Sequence, residues 1–454
     1  MHADVLIVGG GPVGLFLAGL LVDRGVDVAV LERREQPAEQ SRAIGLHPPA
    51  LDALAALGLD GTAVAEGTVV RRGLGFGDGR RLGEITFERA HPRYPFVLTL
   101  PQSRTEQLLA EHLELVAPGA LRRGVEVVGM EHPGPDDGRP VRVTVRSAGA
   151  GEDTGETRAW TARVVVAADG AHSTVRRLAG IGVDRREWGD SYLMGDFAGG
   201  DSACARTAVI HLHRDGAVES FPLPGGRRRW VVHTGRRRRP ENAEELLAVL
   251  CERWPPGGRG QGRGPDGAQD EAPDVPVPLE VPALPDPTTA TMVSAFTVYR
   301  QLARRMVSGR TVVIGDAAHA ISPIGGQGMT VGWLDALALA PLLSGLFDET
   351  RGEAPGTAPG EAPSSGSWPP SGPLGDRPEF LSFERDRLRA ARRAARLAEA
   401  NMMLGRPLWA AVRRGRDTLA RVALAAGAQH RLARLYSMGG ASTRGVPTGR
   451  ADGH

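Results

Sequence analysis

The sequence predicts an α/β fold with a second sheet interleaved into it, and three observations carry that prediction. The first is "DVLIVGGGPVGLFLAGLLVDRGVDVAVLE", residues 4–32, where an apolar run breaks at glycines, becomes a helical pattern and closes on a second apolar run ending in Glu32. The second is the return of that strand–turn–helix grammar in "RVVVAADGAHSTVRRLAG" and "RTVVIGDAAHAISPIGGQGMTVGWLDALALAPLL". The third is a set of alternating, aromatic-containing strands between these segments, such as "TAVIHLH", "VESFPLP" and "RRWVVHTG". A chain of 454 residues, 41% hydrophobic and 24% charged, suits a globular protein of two or three domains.

Taken in order, strand Val5–Val8, helix Gly14–Arg24 and strand Val26–Glu32 form a βαβ unit with a right-handed crossover. Gly9-x-Gly11-x-x-Gly14 between the first strand and the helix matches the dinucleotide fingerprint. Gly9 permits the tight turn, Gly11 lets a pyrophosphate approach the backbone, and Gly14 allows close helix–sheet packing. The free amides at the helix N-terminus face the phosphate charge, and Pro12, which has no amide, suits an early helical position. Glu32 ends the second strand, where its carboxylate accepts both hydroxyls of an adenosine ribose. A glycine turn used only for packing leaves Glu32 unexplained.

Further on, "QSRTEQLLAEHLELV" is an amphipathic helix with Leu108, Leu109, Leu113 and Val116 at helical spacing. "HPGPDDGRP" at 132–140 reads as a hairpin turn. Gly- and Pro-rich segments at 255–276 and 349–378 read as mobile insertions. The tail from Phe380 to Tyr436 is helical and rich in Arg, with Leu397, Met403, Leu404 and Leu408 as its packing stripe. The expected organisation assigns 1–70, 100–184 and 286–346 to the nucleotide domain, and 71–99 and 185–285 to the sheet domain. Residues 347–378 form a flexible linker and 379–440 a C-terminal helical segment.

A net charge of +2 gives no field that draws the whole protein to nucleic acid or acidic membrane. All 55 Lys and Arg residues are Arg, which excludes lysine-dependent chemistry. The runs "GGRRRW" and "GRRRRP" sit at strand ends and read as solvated turns rather than a nucleic-acid surface. Cys204 and Cys251 read as two buried free thiols, too few for a disulfide framework or a zinc site. The N-terminus does not read as a secretory signal, and the longest apolar stretch, Leu334–Phe347, contains Asp335 and is short for a bilayer. The expectation is a cytoplasmic monomer or homodimer without stable membrane association.

Two later stretches extend the reading: Asp169-Gly170 after a strand, and Gly315-Asp316 followed by His319, Pro323 and Gly325-Gly326-Gln327-Gly328. With these, residues 3 to about 346 resemble the class A flavoprotein monooxygenases, the para-hydroxybenzoate hydroxylase group, and within it the aromatic polyketide hydroxylases of bacterial secondary metabolism. The resemblance implies a Rossmann-like FAD-binding domain of the glutathione reductase type. In it Gly9, Gly11, Gly14 and Glu32 bind the ADP half of FAD, with Pro12, Val13 and Arg33 in the same segments. It puts Arg42 beside the pyrophosphate and Gln102 on the flavin side, with Arg104 nearby. It has Asp316 accept a ribitol hydroxyl in the turn begun by Gly315, links Asp169 to both FAD and NAD(P)H, and lines the flavin and substrate cavity with Pro323.

Independently of the resemblance, a helix beginning around Gly326, Gly328 and Met329 points its positive end at the negative charge of a reduced flavin. One departure is Thr330, where many members of the group carry Asn. The chain has no second nucleotide fingerprint, so NADPH or NADH visits a shared surface. The implied function is hydroxylation of a phenolic, polyketide-like substrate with O2 through a C4a-hydroperoxyflavin. The flavin supplies the difficult chemistry and the protein orientation and a dry cavity.

On the substrate side the expected pocket residues are His213, Phe221, Leu223 and Trp230, with His233 beside them and His211 as a candidate phenol base. Alternation puts His211 and His213 on one face of their strand. His319 reads as structural. Competing outcomes are a flavin-dependent epoxidase, a Baeyer–Villiger oxygenase, a reductase, or a flavin-binding protein without turnover. A lysine-dependent halogenase is disfavoured. Too few residues follow the last motif for a thioredoxin-like third domain.

Overall fold

The computed structural model describes residues 1–37, 43–133, 139–147, 157–199, 204–236, 241–255, 281–352, 373–425, 429–436 and 438. Two eight-stranded sheets organise the fold. The first contains β1 (His2–Val8), β2 (Val28–Glu32), β8 (Leu121–Arg123), β9 (Val125–Glu131), β10 (Val141–Ser147), β11 (Thr157–Ala167), β17 (Val307–Ser308) and β18 (Thr311–Val313). Its order is β17-β18-β11-β1-β2-β8, with β10 and β9 extending from β11. β1 runs parallel to both β2 and β11, and Val5–Val8 is buried throughout. A central parallel strand covered on both faces must be apolar without alternation, which is why this segment reads as an unbroken run.

Helix α1 (Pro12–Val22) starts with Pro12 at its first position and Gly11 as N-cap, and it buries Gly14 through Leu21. It packs against α4 (Gln102–Val116) and α7 (Gly328–Gly352). The Trp333 indole N–H donates to the Pro12 carbonyl at 3.0 Å, tying the start of α1 to α7. Around this body stand α2 (Pro48–Ala55), α3 (Asp60–Glu66), α5 (Thr174–Leu178) and a small sheet of β3 (Gly45–Leu46), β7 (Val97–Thr99) and β4 (Thr68–Val70).

The second sheet contains β5 (Arg72–Gly77), β6 (Arg80–Thr86), β12 (Val183–Ala198), β13 (Thr207–Leu212), β14 (Val218–Leu223), β15 (Arg227–Gly235), β16 (Met292–Ala303) and β19 (His319–Ala320). Its order is β19-β16-β12-β15-β14-β13-β5-β6. Helix α6 (Ala243–Arg253) covers its back, where Val209, Trp230, Val232, Leu250 and Trp254 form a core. The front faces the first domain.

The expected boundary at residue 286 is corrected: β16 and β19 both pair in the second sheet. The chain re-enters the sheet after residue 286, with β16 pairing along most of β12 from Val183 to Asp196. The expected linker at 347–378 is likewise trimmed, because α7 runs to Gly352 and Leu374 is fully buried ahead of α8 (Pro378–Gly405). Residues 353–372, the tip of the β9–β10 hairpin at 134–138 and most of the 255–276 insertion lie outside the described residues. Cys204 is buried as expected, but Cys251 is exposed on α6. The stripe of α8 is Phe380, Phe383, Leu388, Ala391, Ala398 and Met402, while Met403 and Leu404 are exposed. The stripe expected from leucines is displaced because alanines on an Arg-rich helix mark the close-packed side.

Two helices close the chain's described part: α9 (Ala410–Leu424) and α10 (Gln429–Tyr436). α9 lies on β6 and the neighbouring end of β5, where glycines make a flat seat. A Cβ at Gly83 would stand 2.5 Å from Leu424 Cβ, and one at Gly77 would stand 2.8 Å from the Asp417 carboxylate. The outer side of α9 exposes Trp409, Val412, Leu419 and Val422.

Candidate functional site

One cavity of about 1030 Å³ runs from the end of β2 to the front of the second sheet. At its first end, Glu32 is buried at the close of β2. Its carboxylate accepts the Gly10 backbone N–H at 2.8 Å and the Arg34 backbone N–H at 2.9 Å. Burial pushes the Glu32 carboxyl up, but the Arg34 guanidinium and these amides outweigh it and hold its pKa below the ordinary value. Arg34 also reaches Glu106 at 3.3 Å. Gly9, Gly11, Pro12, Val13, Glu32 and Arg33 all line this end.

The three fingerprint glycines have different local reasons. Gly9 sits at φ +113°, and a Cβ there would lie 2.3 Å from the Ala168 carbonyl oxygen. A Cβ at Gly14, which lies behind the cavity wall, would stand 2.0 Å from the Gly9 carbonyl oxygen. Gly11 meets nothing within 4 Å; it opens onto free space at the head of α1. A phosphate-bearing group fits this cradle, since its charge meets the N-terminal end of a helix that carries no acidic residue in its first turn.

The middle of the cavity is built by three turns at strand ends. After β11, Asp169 accepts the backbone N–H groups of Thr174 and Val175 at 2.7 and 3.1 Å, so it caps α5 while lining the cavity. Burial raises its pKa despite those bonds. After β18, Gly315 adopts φ +59° with Val13 packed beside it, and Asp316 projects into the cavity. The Asp316 side chain is accessible where it lines the cavity, and desolvation by the surrounding protein pushes its pKa up. Asp335 of α7 accepts the Gly315 N–H at 3.1 Å and pairs with the fully buried His319.

Gln102, at the first position of α4, lines the same region, as do Pro323, Gly326, Gly328 and Met329 at the head of α7. Gly328 meets nothing within 4 Å, the same open cradle as Gly11. Thr330 is fully buried, and its hydroxyl has no hydrogen-bond partner among the described residues. Arg104, expected near this region, forms ion pairs with Glu66 and Glu111. Arg42 lies outside the described residues.

Sequence reasoning missed His47. Its Nε2 faces the Gly325 carbonyl at 3.2 Å, so Nε2 carries the proton, and burial lowers the ring's pKa to about 4. It precedes Pro48-Pro49 at the start of α2, a setting that reads as a helix boundary and nothing more.

The far end of the cavity is an apolar chamber under the front of the second sheet. Ala208, Ile210, Leu212, Phe221, Val231 and Phe296 line it, and Ala420, Ala423 and Leu424 of α9 with Leu432 of α10 close it. Phe221 is thus in the chamber. His211, His213, Leu223 and Trp230 are not among the lining residues.

His211 and His213 do share a face, with rings 5.6 Å apart, but it is the face opposite Ile210 and Leu212. His211 is buried at 1% exposure and accepts the Gly79 N–H at 3.0 Å, and burial lowers its pKa to about 4. Trp230 packs on Trp254 beneath α6 with ring centroids 4.6 Å apart. His233 lies beyond the chamber, bonded to Asp190 at 2.9 Å. The sequence phase failed because both faces of this sheet are covered, so alternation shows no polar side from which to count.

Two charged residues of the chamber complete its lining: Glu219, which escaped the sequence reading, and Arg229 of "GGRRRW", a run expected to be a solvated turn but buried with Arg228 within β15. Arg229 binds Asp196 through two 2.7 Å hydrogen bonds. Glu219 lies between Ile210 on β13 and Val231 on β15, on the same face as Phe221. Its alternation with Phe221 was the available signal.

Relatives of known activity share this organisation. The chain is 34% identical to the 6-methylpretetramide 4-monooxygenase of Streptomyces rimosus over 359 residues, 77% of this chain and 57% of that protein. It is also 34% identical to the rifampicin monooxygenase of Streptomyces venezuelae, over 74% of this chain and 63% of that protein. It therefore spans only about six-tenths of the length of these relatives.

Among solved structures, the anhydrotetracycline hydroxylase of Streptomyces rimosus matches with a TM-score of 0.65 at 26% identity, over 96% of this chain and 76% of that one. The p-nitrophenol 4-monooxygenase of Pseudomonas putida shares the fold with a TM-score of 0.75 at 21% identity, over 96% and 98% of the two chains. The FAD binding domain family model matches residues 2–249 and 277–356, the segments that build the glycine cradles and the sheet side of the chamber but not its α9–α10 cover, and this chain belongs to that family.

Proposed function

We propose that this protein is an FAD-dependent monooxygenase that uses NAD(P)H and O2 to hydroxylate a phenolic, polyketide-like aromatic substrate. The observation that carries the reading is the continuity of one cavity from Glu32 and Gly11, past Asp316 and the head of α7, into an apolar chamber. An extended dinucleotide occupies the first two parts and leaves the third for a flat apolar ring. When bound, FAD accepts reducing equivalents from NAD(P)H and activates dioxygen.

The chain's own contributions follow from its chemistry. Glu32 holds the adenosine ribose, the amides at the head of α1 hold the pyrophosphate, and Asp316 holds a hydroxyl of the ribitol. The head of α7, lined by Gly328 and Met329, presents its positive end to negative charge on the reduced ring system. The chamber walls exclude water, which protects a reactive oxygen donor from side reactions. Asp169, beside this region, fits the proposed contact with both FAD and nicotinamide. A cytoplasmic location suits a consumer of NAD(P)H.

The 6-methylpretetramide monooxygenase and anhydrotetracycline hydroxylase activities of the relatives support this reading. The test is direct. The purified protein is expected to be yellow, and its NAD(P)H consumption is expected to rise with phenols and yield products heavier by one oxygen atom by mass spectrometry. A colourless protein that takes up no FAD sinks the reading. Consumption of NAD(P)H with no oxygenated product points instead to a reductase.

A further inference from the structure

We propose that Glu219 is the catalytic base of the chamber, taking the proton from the hydroxyl of a phenolic substrate that carries no carboxylate. The inference rests on the monooxygenase reading and names its substrate class. Its first support is position. Glu219 sits on the chamber face of β14, flanked across the sheet by Ile210 and Val231, and its accessible part opens into the cavity. Among the described residues it has no hydrogen-bond or ion-pair partner. An ionisable carboxylate left unpaired in an apolar site costs stability, so its retention there asks for a ligand that satisfies it.

The second support is the disposition of the other charges around the chamber. Arg229, on the same face of β15, is tied to Asp196 of β12 in a two-pronged pair. Asp190 of β12 is held by His233 and by Arg406 at the end of α8. Tyr192 of β12 is packed against Phe296 of β16. The facing positions of β13, α9 and α10 are apolar: Ile210, Ala423, Leu424 and Leu432. Arg229, the arginine that lines the chamber, already serves a carboxylate, so a substrate carboxylate would meet Glu219 as a like charge. A neutral phenol instead offers the donor that Glu219 lacks.

The chemistry balances within the proposed activity. The phenolic O–H bond breaks, its electron pair stays on oxygen and enriches the ring, and the proton forms an O–H bond on Glu219. One oxygen atom from O2 enters the ring and the other leaves as water, with electrons from NAD(P)H. Glu219 then returns its proton to the phenolate. Burial raises the Glu219 carboxyl to about 7, close to the value at which a general base is most effective at neutral pH.

The test uses the FAD-loaded protein with 2-naphthol, whose hydroxyl stays protonated in water at neutral pH, and 2-methoxynaphthalene, which lacks the proton. Wild type is expected to prefer 2-naphthol by about tenfold, because a buried acceptor rejects a ligand that leaves it unmatched. That preference should grow as pH rises through about 7. Glu219→Gln should lose both the preference and its pH step while keeping FAD, and Glu219→Asp should keep the step at lower affinity. In turnover, Glu219→Gln should lose about a hundredfold in kcat and the acid limb of its pH profile.

Two results overturn the proposal: a Glu219→Gln protein that keeps the preference and the pH step, or a wild type that holds both ligands equally at alkaline pH. If wild type discriminates through Glu219 yet makes no oxygenated naphthol with NAD(P)H and O2, the monooxygenase reading falls and the assignment of Glu219 as proton acceptor stands.

Discussion

Asp335 and His319 form a fully buried pair, and the same Asp335 carboxylate also receives the Gly315 N–H and the Arg387 guanidinium, the latter at 2.7 Å. The turn that presents Asp316 is thereby anchored to α7 and to α8. Burial opposes both charges. Even so, Asp335 raises the pKa of His319, and His319 with Arg387 lowers that of Asp335. The contribution of His319 is present below its ordinary value and is lost as pH rises through its raised one. That of Asp335 is lost as pH falls through its lowered one. FAD fluorescence is therefore expected to show release at both extremes with a stable window between them. Asp335→Ala should cost about 3 kcal/mol or more in thermal or denaturant unfolding, because two cations lose their buried partner.

The fingerprint glycines should separate by variant. Gly14→Ala forces a Cβ to within 2.0 Å of the Gly9 carbonyl oxygen and should destabilise the apoprotein by about 2 kcal/mol or more. Gly11→Ala meets no protein atom within 4 Å and should unfold like wild type, yet bind FAD at least about tenfold more weakly because the added methyl stands in the cradle. Unfolding without cofactor and FAD titration distinguish the two. Equal effects of both variants on apoprotein stability would refute the division.

Asp316→Ala should purify with little FAD, whereas His211→Ala should keep it. The His211 ring accepts the Gly79 N–H on the side of β13 away from the chamber. Its loss should lower stability by about 1–3 kcal/mol through the cavity left by the buried ring and the lost hydrogen bond, with kcat near wild type. Absorbance of the bound cofactor and steady-state rates give both readouts. A His211→Ala protein that is stable but slow would restore the histidine to catalysis.

Glu219→Gln should also change stability, in the opposite sense from most polar-to-neutral changes in a site. The folded chain keeps a proton on Glu219 between its ordinary value of 4.5 and about 7, where the unfolded chain has released it. Stability must fall as pH climbs through that window. Above it, the variant should be more stable than wild type by up to about 3 kcal/mol. Matched melting curves at pH 5 and pH 8 test this; an equal difference at both would refute it.

The cofactor half was legible because its chemistry is local. Gly9, Gly11 and Gly14 are set by turns within one βαβ unit, and Glu32 by the strand that follows, so short-range pattern reveals them. The chamber was not legible for a physical reason. Strands β13 and β15 have covered faces on both sides, so Ile210 and His211, or Trp230 and Val231, are equally admissible as lining. Which face is the chamber depends on where α6, α9 and the end of α8 settle, and those segments lie far away in sequence. Glu219 illustrates the cost: a lone acid beside Phe221 reads as a solvent position until the fold encloses it. The boundary at residue 286 failed in the same way, since β16 owes its place to pairing with β12.

The glycine seat beneath α9 has a further consequence. Leu424, pressed onto Gly83 and Gly75, is part of the roof of the chamber, while the residues that line the nucleotide part, from Gly11 and Glu32 to Asp316 and Gly328, all belong to other segments. Shape at the roof can thus be rewritten by exchanging α9 and α10 alone, leaving the nucleotide grip untouched. Such a division lets one flavin scaffold acquire new guests by grafting two short helices.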